Sequence, residues 1–313
     1  MGLHQTSGRW RVGLLLALST MGLWATLPIA LKIALETLDP WTLTWFRFAV
    51  AASVMLAWLA WTGQLRQFGA LGGGHWGLLA VAAAGLIGNY VTYLLGLDFT
   101  TPANAQLLIQ LAPLLMTLGG VIVFRERLAL GQRVGFGFIV AGLLLFFADQ
   151  QDANQGARYL TGAVLIVVAA VTWAVYALAQ KQLLVRLPSS AIMAFIYVTA
   201  AIVLAPMARP SALVDLDRTH QLVLAYCALN TLAAYGAFAE SLAHWDASRI
   251  GAVLAVTPLF TLLIGAVVAA LIPGLVAPER IAFRGWMGAV LVVGGAAAAS
   301  LLARRYRPVP VRR

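Results

Sequence analysis

Residues 101–127 read TPANAQLLIQLAPLLMTLGGVIVFRER, an apolar run with Pro113 near its middle and Arg125, Glu126 and Arg127 at its end. A proline this deep in a helix removes one backbone hydrogen bond and bends the rod. In a bilayer such an irregularity survives only where neighbouring helices or a cavity take up the freed groups. The pattern returns later in the chain. Residues 253–269, VLAVTPLFTLLIGAVVA, lie on it at a shift of 145, so that Pro258 and Leu259 match Pro113 and Leu114. At a shift of 153, Glu279, Arg280, Ile281 and Ala282 match Glu126, Arg127, Leu128 and Ala129.

Working outward, the match covers the chain. At a shift of 149, Gly13, Trp24, Ala25 and Lys32 meet Gly162, Trp173, Ala174 and Lys181; at 145, Tyr90 meets Tyr235; at 153, Gly135 and Gly142 meet Gly288 and Gly295. The order of the matches never changes, so one unit is duplicated with small insertions.

Composition fixes what kind of unit it is. The chain is 62% hydrophobic and 10% charged, whereas a soluble domain carries about 25% charged residues. The reading is an all-α integral membrane protein. Its formal charge of +10 comes from basic residues dispersed between apolar runs and gathered in the tail RRYRPVPVRR. That is the pattern of membrane orientation and lipid-surface anchoring, not of a nucleic-acid interface. The single Cys227 excludes an intrachain disulfide and a thiolate metal site, and reads as a small core residue. No metal and no cofactor is expected.

A span needs about 20 apolar residues. Ten fit, at 12–34, 42–62, 76–97, 102–124, 130–149, 160–182, 190–208, 221–242, 249–271 and 282–302. The first is too long for the apolar core of a secretory signal and takes part in the repeat, so it belongs to the mature structure. With the amino terminus in the cytoplasm, fourteen Lys and Arg fall inside and six outside, with Arg47 left within a span. This excess places both termini in the cytoplasm. The expected organisation is a cytoplasmic segment 1–11, a five-helix repeat 12–149, a periplasmic linker 150–159, a second five-helix repeat 160–302 and a cytoplasmic tail 303–313. Five is odd, so the second copy is inverted in the membrane, and inverted pairs of this kind hold a substrate near the midplane where the halves meet.

Polar residues within the spans sort onto faces. Trp24 lies about 18 Å into its span, near the midplane, and Trp173, Pro113 and Pro258 come out at similar depths. Gln106, Gln110 and Pro113 are spaced i, i+4, i+7; Trp173, Tyr176 and Gln180 are spaced i, i+3, i+7; Asn89, Tyr90 and Tyr93 cluster on the third span, and Asn230, Thr231 and Tyr235 on the eighth. Facing lipid, amides and phenols would lose their hydrogen bonds, so they point into the bundle, toward a substrate or toward each other as interhelical contacts. The candidate lining is Trp24, Asn89, Tyr90, Tyr93, Gln106, Gln110, Trp173, Tyr176 and Tyr235, with Pro113 and Pro258 as hinges.

The lining is poor in charge. Glu240 is the one carboxylate expected clearly within a span, near its cytoplasmic end, which disfavours proton exchange for a bulky cation. Central cations for phosphate are also missing, which disfavours sugar nucleotides. A small net-neutral solute such as a zwitterionic amino acid fits better. Arg47, about 8 Å below the outer edge of its span, is expected to pair with Glu36 or Asp39 or to act as an outward gate, in preference to meeting substrate. Glu240 and His244, at i and i+4, form a candidate pH-sensitive inner gate or a solvated helix-end pair. The chain lacks a His-Glu-x-x-His metal motif, paired intramembrane carboxylates and a Walker loop, so an enzyme is not expected.

These residues together resemble a known family. Two five-span halves, Arg47 in the second span, Pro113 and Thr117 followed by Arg125–Arg127 and then Gly135 and Gly142, and the echo from Glu279 to Gly295 are similar to the drug/metabolite transporter superfamily and its EamA-type bacterial exporters. In layout the chain looks most like the aromatic amino-acid exporter branch. The resemblance covers residues 12–302 and implies ATP-independent secondary transport, commonly efflux of amino acids or related metabolites across the bacterial inner membrane. Multidrug and nucleotide-sugar carriers of the same superfamily are the alternatives within transport, and those from other classes are a membrane-embedded enzyme and a non-transporting receptor. It also implies that helices one, three, four, six, eight and nine surround the pathway. One departure stands out: Gln106 and Gln110 align with Gly251 and Ala255, so the pocket is expected to be chemically asymmetric.

Overall fold

The computed structural model describes residues 9–124, 129–154, 157–245, 247–278 and 281–302. They form twelve α-helices: α1 (Trp10–Ala34), α2 (Pro40–Trp61), α3 (Gly73–Phe99), α4 (Pro102–Leu108), α5 (Leu111–Phe124), α6 (Leu130–Asn154), α7 (Ala157–Leu183), α8 (Ser189–Leu204), α9 (Arg218–His244), α10 (Ala247–Leu254), α11 (Thr257–Leu271) and α12 (Phe283–Leu301). Eight segments are long and apolar enough to cross a membrane, α4 and α5 counting as one; the apolar parts of α11 and α12 are shorter. The all-helical membrane fold is the one the composition predicts. The charge clusters at Arg125–Arg127 and Glu279–Arg280, the initial segment 1–8 and the tail 303–313 lie outside the described residues.

The fourth and ninth spans are each two helices, not one bent rod. Prolines cause both interruptions, but the breaks fall upstream of them, at residues 109–110 and 255–256. Pro113 and Pro258 sit in the first turn of α5 and α11, where a missing N–H is tolerated. Each proline orphans the carbonyl four residues back. In the first half, Ile109 O accepts from Ala112 N at 2.9 Å. In the second, Leu254 O accepts the hydroxyl of Thr257 at 2.5 Å.

The linker expected at 150–159 is shorter than predicted, because α6 runs on to Asn154 and α7 begins at Ala157. The polar run Gln150–Asn154 marks the end of the apolar layer, not the end of the helix. Other termini follow local chemistry. Asp39 caps α2 by accepting from Trp41 N at 2.9 Å and Thr42 N at 3.0 Å, with Pro40 at the first helical position. Lys32 donates to the carbonyls of Leu97, Asp98 and Thr100 at 2.8–2.9 Å, closing the C-terminus of α3 with a cation.

Packing obeys the inverted repeat. Exchange of the halves turns α3 against α7 into α9 against α1, α5 against α7 into α11 against α1, and α3 against α8 into α9 against α2; all of these pairs are packed. The pairs α2 with α8 and α6 with α12 map onto themselves and are also packed. At the α6–α12 crossing the matched glycines face one another in antiparallel register. A Cβ built on Gly135 would lie 2.5 Å from Gly295 O, and one on Gly142 2.6 Å from Gly288 O. Only glycine permits so close a backbone approach.

The symmetry is not complete: α10 packs on α12 and α2 on α3 without a counterpart of that extent, and the clearest break lies at α4. Around the start of α4, at the end of the bundle where α1 and α3 finish, α4 packs on α1 and α11. The equivalent contacts, α10 on α7 and on α5, are not formed to a comparable extent among the described residues. Among the described residues, one end of the bundle is thus packed by α4 against α1 and α11, and the other, where α10 lies on α1 and α12 but not on α7 or α5 to that extent, is the parted one.

Candidate functional site

A cavity of about 530 Å³ occupies the space the two halves leave between them. It begins at Leu31, Arg47 and Leu94, beside the packed end. It extends to Gln132 and Phe136 at the start of α6 and Ala296 and Ala299 near the end of α12, which lie at the parted end. Its volume suits a small organic molecule.

Most of the expected lining is there: Trp24, Asn89, Tyr90, Tyr93, Gln106, Gln110, Trp173 and Tyr235 all border the cavity, as do Pro113 and its neighbours Ala112 and Leu114. The rings are held by one another. Trp24 meets Tyr235 edge-on and Phe238 at a tilt, both at 5.7 Å between centroids. Gln106 and Gln110 rise from α4 and the break after it, while Gly251 and Ala255, their counterparts, border the same cavity from α10 and the second break. The chemical asymmetry read from the alignment is thus present in the walls: amides on one side, small apolar residues on the other. Several amides also bind protein. Asn89 Nδ2 donates to Ala169 O at 2.9 Å. Asn230 Nδ2 donates to Leu23 O and to Tyr226 Oη, so it ties α9 to α1 and is not among the lining residues.

Two expectations need correction, at Tyr176 and Arg47, and one open choice narrows, at Glu240 and His244. Tyr176 is 3% exposed, does not border the cavity, and directs its hydroxyl to Met193 Sδ at 3.3 Å. Three residues along a helix turn a side chain about 60° from Trp173, which is enough to face α8 instead. Glu240 and His244 do bond, at 3.1 Å, but the carboxylate is 62% exposed and neither residue borders the cavity. The geometry is that of a solvated helix-end pair. Arg47 pairs with neither Glu36 nor Asp39: Asp39 is occupied as a cap, and Glu36 lies 3.8 Å from His220. Instead Arg47 is 2% exposed, borders the cavity, donates Nε to Thr231 Oγ1 at 3.1 Å and lies 4.8 Å from the centre of the Tyr90 ring.

Sequence reading missed other walls. Pro28, Met116, Gln132, Phe136, Phe238 and Thr257 border the cavity. The spacing of Gln132, Phe136 and Ile139, all on one face of α6, was a signal for that wall. It also missed a polar cluster that joins the halves at the packed end. Asn104 Nδ2 donates to Thr101 Oγ1 at 2.9 Å and Gln150 Oε1 at 3.3 Å, and Asn104 Oδ1 accepts from Tyr159 Oη at 3.2 Å. Gln150 in turn donates to Asp149, which accepts from Ala282 N at 3.2 Å. Asp149 is 5% exposed, so a carboxylate other than the solvated Glu240 lies within the bundle.

Comparison with known proteins agrees with this architecture. The model of the EamA-like transporter family matches twice, at residues 11–148 and 160–301. The uncharacterized inner membrane transporter YhbE of Escherichia coli (strain K12) is 36% identical over 288 residues, 91% of this chain and 90% of YhbE. The aromatic amino acid exporter YddG of Ancylobacter novellus is 26% identical over 294 residues, 93% of this chain and 98% of that protein. A crystal structure with 22% sequence identity superposes over 96% of this chain and 98% of its own with a TM-score of 0.64, which speaks to the fold alone. With both halves matched and a relative this similar along nearly its whole length, the chain belongs to the EamA-like transporter family.

Proposed function

We propose that the protein is a secondary exporter of amino acids or related small zwitterionic metabolites, working by alternating access in the bacterial inner membrane with both termini in the cytoplasm. The observation that carries this reading is the cavity between the halves, walled by aromatic rings and amides and closed at one end by contacts of α4 that, among the described residues, are not repeated to that extent at the other. In this orientation the parted end faces the cytoplasm, where an exporter loads. The distribution of Lys and Arg supports the orientation, and the activity for which the YddG relative is named supports the substrate class.

Counterflow tests the reading. Purified protein in liposomes, offered labelled amino acids, sugars and cationic drugs, is expected to exchange amino acids. Exchange confined to the sugars or the drugs would replace the amino-acid reading with one of its superfamily rivals.

The two interrupted helices are the proposed hinges, because α4 and α10 can swing about residues 109–110 and 255–256 without breaking a continuous ladder. Pro113→Ala and Pro258→Ala are expected to slow exchange several-fold while equilibrium binding stays within about twofold. A loss of binding with unchanged turnover of bound substrate would remove the hinge role.

A further inference from the structure

We propose that Arg47 is the carboxylate-binding residue of the cavity, and that the transported solute is consequently one that bears a free carboxylate. This deepens, and rests on, the exporter reading above. A guanidinium does not give up its proton in a protein, so Arg47 is a permanent cation. Burying such a charge without a counter-ion costs several kcal/mol. Yet among the described residues no carboxylate pairs with Arg47: Asp39 is occupied as a cap, and Glu36 is half-exposed, 3.8 Å from His220.

The surroundings hold the group in place, and among the described residues Thr231 is its one hydrogen-bond partner. Thr231 gives its own proton to Cys227 O at 2.9 Å, so its oxygen is a true acceptor for Arg47 Nε. Tyr90 covers one face of the guanidinium. That accounts for one of five N–H donors. The remainder are the planar pair of edges that match a carboxylate, and the residue borders the cavity at 2% exposure. Arg47 is also the one charged side chain among the described lining residues.

Position gives the solute an orientation. Arg47 lies seven residues into α2, beside Leu31 and Leu94 near the packed end. A carboxylate would enter first and dock there. The ammonium of a zwitterion would then lie among the amide oxygens of Gln106 and Gln110 and the faces of Trp24 and Trp173, and its side chain toward the parted end.

The test uses purified full-length protein in detergent and calorimetric binding of tryptophan, phenylalanine, leucine and threonine. Each is offered as the free acid, as the amide and as the decarboxylated amine. In the wild type, every acid that binds is expected to bind at least tenfold more tightly than its amide and its amine. In Arg47→Met that preference is expected to fall below threefold, with Arg47→Lys between. Removing an unpaired buried cation should leave the melting temperature of Arg47→Met no lower than that of the wild type, whereas the loss of a structural ion pair would lower it. A wild type that binds acid and amide equally overturns the assignment and leaves the exporter reading standing, as does an Arg47→Met protein that keeps the preference. Binding of none of the twelve compounds overturns the exporter reading and this assignment with it.

Discussion

Trp173→Ala and Trp24→Ala are each expected to lower kcat/KM for amino-acid counterflow about tenfold, and the double variant about a hundredfold, with protein levels and melting temperature little changed. The two indoles occupy matched places in the halves and border one cavity. Each offers a flat face, and Trp24 is braced by Tyr235 and Phe238. An aromatic pair contributes roughly 0.5–1.5 kcal/mol beyond area burial, and a desolvated ammonium over a ring about 2 kcal/mol; a tenfold change is about 1.4 kcal/mol. Tyr176→Phe is the internal control. Its hydroxyl contacts Met193 and not the cavity, so flux should be unchanged. Equal losses at all three positions would mean that the substitutions act through folding.

Asn104→Leu should release the packed end. Asn104 joins α4 to Gln150 on α6 and Tyr159 on α7, across both halves. Its loss deprives the buried Tyr159 hydroxyl of this acceptor, at a cost of about 1–3 kcal/mol. That is enough to shift a two-state equilibrium by a factor of roughly ten or more. Leu94 borders the cavity beside this end and is fully buried. In a Cys227→Ser background, a cysteine placed at Leu94 is expected to be silent to a membrane-impermeant maleimide applied from the packed end. It should become labelled when Asn104→Leu is added. Labelling at the same slow rate in both would show that the cluster does not hold this end closed.

The fold was legible because the bilayer allows few alternatives: apolar runs of the right length must be helices, and an odd-numbered duplication must invert. The broken helices could be anticipated from Pro113 and Pro258, although the breaks fall upstream of both. The lining was legible wherever a polar or aromatic side chain had no reason to face lipid, as with Gln106, Gln110 and Trp24. What could not be read was direction within a narrow sector, which separates Tyr176 from Trp173. Partnership was also hidden. Arg47 stands close in sequence to two acids, and only the placement of α2 against α3 and α9 shows that it turns away from both toward Tyr90 and Thr231. Asp149 was hidden for a related reason, since it stands where the sequence turns polar while the helix and its packing continue.

The joint at Pro258 shows what duplication did and did not carry across. Both copies inherited the proline, and with it a carbonyl that the helix itself can no longer serve. The remedies differ. One copy supplies a main-chain amide, as any residue there could, while the other depends on the hydroxyl of Thr257, whose counterpart is Ala112. Thr257 is therefore the member of this matched pair whose identity matters, and giving the second joint the alanine of the first would keep the damage and remove the repair.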